Sequence, residues 1–444
     1  MKRNSLIIDV IKFTIPVLLA LFVQALYGAV DLWAVGTFAT TDDVSAVAIG
    51  SEFMQIITQL VVGLTMGVTV LLASNYAQKS EESCQAIVKA SFELFFVLGV
   101  VLTLLIALFA REGALLMNSP LEALEQTTAY IRVCGLGSLG IVFFNLLGSI
   151  FRAVGDSKTP FIFVCITCVI NIIGDYVLTR FFALGTLGVA FSTTVSQIIS
   201  VILSLAYMSV KGIGFKVDLF KKNGSRAFVA PMVKIGFPVA LQGSVTEASY
   251  AIVISFANTL GVLASAGVGV ASKVIMFVYL VPTAFVQVIS VFTSESVGQG
   301  DFRRAKQSLY AGLIWAGLFG FIAAFALFFY GDLISRIFTK DEAVIDISWE
   351  YLKVCSIECL VLSFVYSILG FFNGLSRTRF VMIQGLLAIF LVKLPYAYVA
   401  TFVVEPKVYN IALADALSGI FQLILCLIYL FIIRKSYSFK SRSS

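Results

Sequence analysis

Residues 11–37 read I-K-F-T-I-P-V-L-L-A-L-F-V-Q-A-L-Y-G-A-V-D-L-W-A-V-G-T. After Lys12 the only charged side chain in this run is Asp31. A helix needs about 20 largely apolar residues to cross the hydrocarbon of a bilayer, so the run is long enough to span and carries one carboxyl group inside. It is too long for a signal-peptide core and lacks a small-residue cleavage site. Eleven further runs follow, giving spans near 13–37, 44–75, 86–110, 128–151, 160–182, 186–210, 231–257, 261–293, 306–330, 347–372, 378–403 and 408–433. The second and eighth are long enough to tilt or to project beyond the bilayer. Over all 444 residues 59% are hydrophobic and 13% charged, about half the charge of a soluble domain. Disorder, a secreted disulfide scaffold and an ordinary cytosolic enzyme are excluded. The fold class is an all-α polytopic membrane protein.

The net charge of +6 is a matter of topology. Of the 31 Lys and Arg residues, 22 fall on the side that holds both termini, seven on the other side, and two, Lys273 and Lys393, within spans. By the positive-inside bias both termini are expected to be cytoplasmic, and no nucleic-acid footprint remains. The chain has no His, which removes histidine metal sites, Ser-His triads and histidine proton relays together. Cys165 and Cys168 form a C-x-x-C in mid-helix without further ligands nearby and read as small packing residues. No metal and no cofactor are expected.

The two halves repeat at an offset of about 221. Ile11-Lys-Phe-Thr-Ile-Pro16 aligns with Val233-Lys-Ile-Gly-Phe-Pro238, and Tyr130-Ile-Arg-Val-Cys134 with Tyr351-Leu-Lys-Val-Cys355. Six spans per half is an even number, so the repeats run parallel about an axis along the membrane normal. The organisation expected is a six-helix lobe at 1–210, a linker loop at 211–230 and a second six-helix lobe at 231–444, around a central cavity. Paired lobes of this kind are a secondary-transporter architecture. The chain holds no Walker A sequence for direct ATP drive.

An ionisable group within a bilayer needs a partner, water or a function. Asp31, Asn171, Asp175 and Thr193 share one depth in the outer half of the first lobe, Asn171 and Asp175 on one helix face at i, i+4. Two carboxyl groups close together in a low dielectric suit the binding of a proton or small cation. Gln24, Tyr27 and Asp31 make a polar stripe on the first span, and Thr193, Gln197, Ser200 and Ser204 another on the sixth. In the second lobe Asp31 corresponds to Val253 and Asp175 to Tyr396, so the carboxyl pair is not duplicated. Glu358 and Lys393 lie at similar depth and read as a buried salt bridge. Glu52 and Lys273 are repeat counterparts of opposite charge. Either these two pair, or Lys273 meets Glu247, and both arrangements suit a gate. Asp415, near the outer end of the last span, is expected to reach water. Pro16 permits a bend in the first helix.

I-K-F-T-I-P at 11–16, V-D-L-W-A-V-G at 30–36, R-A-V-G-D-S-K-T-P at 152–160, N-I-I-G-D-Y at 171–176 and G-V-A-F-S-T-T-V-S-Q at 188–197 together resemble the multidrug and toxic compound extrusion (MATE) family, over nearly the whole chain. The resemblance implies a secondary active transporter, not an enzyme, that exports amphiphilic, often cationic compounds in exchange for H⁺ or Na⁺. It implies a cation-coupling site of Asp31, Asn171, Asp175 and Thr193, and a first-helix bend at Pro16. Some members use a glutamate on the seventh helix and an aspartate on the tenth. Glu247 is close to the former position, while the tenth helix carries Glu358 about a turn from the latter. The expected setting is a prokaryotic plasma or inner membrane, with the protein a monomer. The rival readings are a flippase or exporter for a lipid-linked or specific metabolite, a polyprenyl-phosphate transferase and an ion channel. The transferase would need an Asp-rich cytoplasmic motif, and the only Asp pair, Asp42-Asp43, lies in a short outer loop.

Overall fold

Backbone amides in hydrocarbon have no water to bond, so a chain this apolar satisfies them within helices. The computed structural model describes residues 3–215, 217, 225–404 and 407–440, and among them every regular element is helical. The elements are α1 (Arg3–Phe38), α2 (Thr41–Ala77), α3 (Glu81–Leu108), α4 (Ala110–Leu116), α5 (Leu124–Leu136), α6 (Ser138–Ala153), α7 (Lys158–Arg180) and α8 (Gly185–Lys211). After them come α9 (Arg226–Asn258), α10 (Val262–Gly298), α11 (Phe302–Ser335), α12 (Glu342–Gly374), α13 (Thr378–Leu387), a π-helical stretch Ala388–Lys393, α14 (Leu394–Phe402) and α15 (Val408–Lys440). Eleven spans among the described residues are long and apolar enough to cross a membrane, with α13 to α14 counted as one. The pair α5 and α6, bent by 52°, makes the twelfth. Residues 216 and 218–224 of the expected linker lie outside the described residues. Leu104, Phe321 and Ile432 are 57%, 60% and 57% exposed, as befits side chains whose solvent is lipid.

One compact unit comprises Phe13–Ser244 and Ser294–Asp301. Leu72, Ile87, Phe95, Ile131, Leu146 and Phe151 are fully buried within it. Glycine sets how closely its helices approach. A Cβ at Gly67 would stand 2.1 Å from the Met232 carbonyl oxygen, and one at Gly63 2.2 Å from the Ala240 Cα. Thus α2 and the first part of α9 meet backbone to backbone, as small residues allow in membranes. This contact groups α9 up to Ser244 with this unit, whereas the sequence places the lobe boundary in the 211–230 loop. At the bend between α5 and α6, a Cβ on Gly137 would lie 2.3 Å from Thr194 Cγ2 of α8. Helix ends leave N–H groups unbonded. Thr40 and Asp43 close a capping box on α2, and Asp43 Oδ1 also accepts from the Thr186 amide at 3.0 Å and the Thr186 hydroxyl at 2.6 Å. One carboxylate thereby caps two helices.

The other unit comprises Met1–Lys12, Val245–Thr293 and Phe302–Ser444. Val268, Leu352, Val354, Ile411 and Ala414 are at its core. Trp315 Nε1 donates to the Ile7 carbonyl at 3.0 Å, which anchors the start of α1 on α11. A Cβ at Gly320 would fall 2.3 Å from Ser363 Oγ, so α11 and α12 are in close contact. The π-helical stretch ends two residues before Pro395, which has no N–H for the Leu391 carbonyl and crowds it.

Gly67→Ala is expected to cost about 1–3 kcal/mol through overpacking against the Met232 backbone. Gly269→Ala, where a Cβ meets nothing within 4 Å, is expected to be neutral or to gain up to about 1 kcal/mol from helix propensity. Thermal unfolding of the two purified variants in one detergent checks the contrast.

Candidate functional site

In the first unit the side chains of Asp31, Asn171, Asp175 and Thr193 converge. Gly174 of α7 makes this possible: a Cβ there would lie 2.4 Å from Ser192 Oγ, so α8 runs hard against α7. At that contact Ser192 Oγ donates to the Asn171 carbonyl at 2.8 Å, and Asn171 Nδ2 reaches Ser192 Oγ at 3.3 Å and Thr193 Oγ1 at 3.2 Å. Thr193 Oγ1 in turn donates to Asp31 Oδ2 at 3.3 Å. Asp175, one turn after Asn171, brings its carboxyl group within electrostatic reach of Asp31. Asp31 is 5% exposed, and Asn171 and Asp175 are fully buried. Asp31 Oδ1, Asn171 Oδ1 and both Asp175 carboxyl oxygens accept no hydrogen bond from the described residues, and neither carboxylate joins a salt bridge among them. The free carboxyl oxygens are hard donors of the type small cations take. Beside them the Tyr27 hydroxyl lies against Gln197. Gln24 is half-buried, and α1 is helical through Pro16. Ser192 is the member that sequence reasoning missed: its neighbour Thr193 carried the resemblance, and only the α7–α8 approach shows that Ser192 holds Asn171.

The second unit departs from expectation. Lys393 pairs not with Glu358 but with Asp415, Nζ to Oδ1 at 2.7 Å, both side chains 4% exposed or less. Asp415 does not reach water. Glu358 and Lys393 share a depth, but depth does not fix rotation about the helix axis, and Lys393 ends a stretch, Ala388–Lys393, that is π-helical. The Lys393 ammonium also sits over the Tyr250 ring, 3.2 Å from its centroid. Glu358 accepts instead from the Tyr250 hydroxyl at 3.3 Å and is 2% exposed. Neither Tyr250 nor the Asp415 pairing was legible, since no motif marks them. Glu52 and Lys273 are both exposed on α2 and α10, in different units, and Glu247 is half-buried on α9.

The sequence profile of MatE matches twice, at residues 16–177 and 238–399. The chain belongs to the MatE family. It is therefore a multi-pass membrane transporter and not an enzyme. The MatE chain is similar to a probable multidrug resistance protein, YoeA, of Bacillus subtilis, with 24% identity over 394 residues that span 87% of this chain and 85% of that protein. A probable multidrug resistance protein NorM of Thermotoga maritima is 24% identical over 398 residues, 88% of this chain and 85% of its own. In fold, a solved outward-facing multidrug resistance MATE family transporter of the MOP superfamily superposes with a TM-score of 0.90 over 98% of both chains, at 17% identity.

The two matched stretches of this MatE chain run from Pro16 and Pro238 to Val177 and Val399, an offset of 222 at each end. Between them α2 and α10, of equal length, correspond at 221. The π-helical stretch supplies the extra residue in the second copy. Beyond it Thr401 Oγ1 donates to the Ala397 carbonyl at 2.7 Å, as Thr179 Oγ1 donates to the Asp175 carbonyl at 2.5 Å. At the 222 offset of the matched ends Asp175 falls against Ala397, where the 221 offset sets it against Tyr396, and Asp31 falls against Val253.

Breaking a buried ion pair strands the other charge, at about 3–5 kcal/mol, whereas replacing both partners with apolar groups is about neutral. Asp415→Leu is expected to fall in that destabilised range, and Lys393→Met/Asp415→Leu to recover most of the loss. Thermal or denaturant unfolding of the three proteins in detergent measures both values.

Proposed function

We propose that this transporter is a cation-coupled antiporter that exports amphiphilic, often cationic compounds by alternating access. H⁺ or Na⁺ drives it, bound at Asp31 and Asp175 with Asn171 and Thr193 as neutral donors. The observation that carries the reading is the buried Asp31–Asp175 pair, most of whose oxygens accept no hydrogen bond from the described residues. Such a pair holds a proton between its two groups or a small cation among its oxygens, and releases either when water and the opposite gradient reach it. The names of the relatives, multidrug resistance proteins of two bacteria, support a drug-like substrate and a bacterial cell membrane.

Coupling needs only that ion and substrate bind opposite conformations with different affinities; they need not share atoms. Asp31 is carried on α1, which holds Pro16 about four turns closer to its start. At that proline the ladder lacks one N–H. A change of charge at Asp31 is thus placed to alter the course of α1 and, with it, the walls of the cavity. The excess of basic residues on the side of the termini supports a cytoplasmic placement of that side, and in this reading the ion enters from outside.

Proteoliposomes loaded with a fluorescent organic cation test this reading. An imposed inward H⁺ or Na⁺ gradient is expected to drive efflux by the unaltered protein and to drive none by Asp31→Asn. Efflux by Asp31→Asn with an undiminished response to the gradient overturns the assignment. Absence of efflux by the folded, unaltered protein under either gradient overturns the substrate class.

A further inference from the structure

We propose that Lys393 is a tethered cation: carried at the position that Asn171 holds in the first repeat, its ammonium occupies the buried acidic cluster of the second repeat in place of an ion from solution. The comparison with the first repeat rests on the function proposed above, and the test is arranged so that the two fail separately.

The register carries the argument. The matched stretches end 222 apart, which sets Asn171 against Lys393 and Asp175 against Ala397; the same offset carried on sets V-A-F-S-T-T-V-S at 189–196 against I-A-L-A-D-A-L-S at 411–418, and so Thr193 against Asp415. The threonine bonds to the Asp175 and Ala397 carbonyls are consistent with this alignment. At 222 Asp31 falls against Val253. The neutral Asn171–Thr193 contact at 3.2 Å in one repeat is thus the charged Lys393–Asp415 contact at 2.7 Å in the other. Where the first repeat has two carboxyl groups around neutral donors, the second has valine and alanine around a charged pair. Its second carboxylate comes from elsewhere: Glu358 of α12 corresponds in the repeat to Gly137, at the 221 offset that holds there, as for Tyr130 and Tyr351.

The chemistry of the cluster is that of a cation site whose cation is already present. Lys393, Asp415 and Glu358 are 3%, 3% and 2% exposed. The ammonium lies on an Asp415 oxygen and over the face of Tyr250, a ligand set of carboxylate and π-face that an ammonium suits better than a bare metal ion. Tyr250 also donates its hydroxyl to Glu358, so one ring links the ammonium to the second carboxylate. Tyr250, Glu358, Lys393 and Asp415 come from α9, α12, the π-helical stretch and α15, and the ammonium ties these four together. A lysine cannot leave. The second repeat then takes up no coupling ion, and each cycle moves only what the Asp31–Asp175 site binds.

The test uses the full-length protein with Asp31→Asn/Asp175→Asn, which silences the first site whatever its ion, and reads the unfolding temperature in detergent. The probes are sodium chloride, ethylammonium chloride and tetraethylammonium chloride, each compared with N-methyl-D-glucamine chloride at equal ionic strength. With Lys393 present, sodium and ethylammonium are expected to give the same unfolding temperature as N-methyl-D-glucamine. Adding Lys393→Ala is expected to lower the unfolding temperature, and ethylammonium, but not tetraethylammonium, to restore it saturably by refilling the vacated position. Lys393→Asn/Asp415→Thr, which copies the neutral pair of the first repeat, is expected to fold and to ignore ethylammonium. A folded Lys393→Ala protein indifferent to ethylammonium overturns the proposal. So does a saturable sodium shift in the Lys393-containing protein that Glu358→Gln abolishes, an arm that stands even where Lys393→Ala fails to fold.

Discussion

A carboxyl group held within a bilayer costs several kcal/mol unless something near it supplies the charge or the hydrogen bonds that water would. Asp31, Asp175, Glu358 and Asp415 are each 5% exposed or less, and the rest of the molecule is arranged around how that cost is met. In the first unit the compensation is partial. Thr193 donates to Asp31, Asn171 and Ser192 surround it, and several oxygens are left without a donor among the described residues. In the second unit the compensation is internal, with an ammonium against Asp415 and a phenol against Glu358. Partial compensation suits a site that must bind and release. Internal compensation suits a site that must hold.

Neither arrangement follows from the polar residues alone. Asn171 reaches Thr193 and Ser192 only because Gly174 lets α8 lie against α7, where any Cβ would collide with Ser192. Lys393 meets Asp415 from the end of a π-helical stretch that precedes Pro395, which has no N–H for the Leu391 carbonyl. A residue with no side chain and a residue with no N–H thus each lie close to where the polar side chains meet. Both act on backbone geometry, and the electrostatics follows.

The same division separates what could be read in the sequence from what could not. Span lengths, the twelvefold count and the internal repeat depend on hydrophobic runs and local motifs, and these are written residue by residue. The depth of Asp31, Asn171, Asp175 and Thr193 followed from their distance to the span ends, and the structure brings the four together. The partner of Lys393 was not legible, because Glu358 shares its depth and the lysine ends a π-helical stretch, Ala388–Lys393. Asp415 was misread for a related reason. Distance along a helix fixes depth within a span but not rotation, and rotation decides whether a carboxylate meets water or Lys393. Ser192 escaped notice because its role is to hold Asn171, which no pattern of charge or spacing announces.

The repeat shows which constraints survive duplication. Pro16 and Pro238 correspond, as do the threonine bonds at Thr179 and Thr401, and α2 and α10 keep the same length. These features govern backbone path and helix packing, and each copy needs them in order to fold. Charge is under no such shared requirement. If two copies form one transporter, a single releasable site is enough to couple it to a gradient. A second buried carboxyl pair would then carry the full desolvation cost of its own. Replacing Asp31 and Asp175 by Val253 and Ala397 removes that cost, and setting Lys393 against Asp415 in place of Asn171 against Thr193 keeps a polar contact between the same two helices without a vacant cation position. In the transporter proposed here, this asymmetry of charge on a repeated backbone would let one half respond to an ion while the other keeps its charge arrangement fixed.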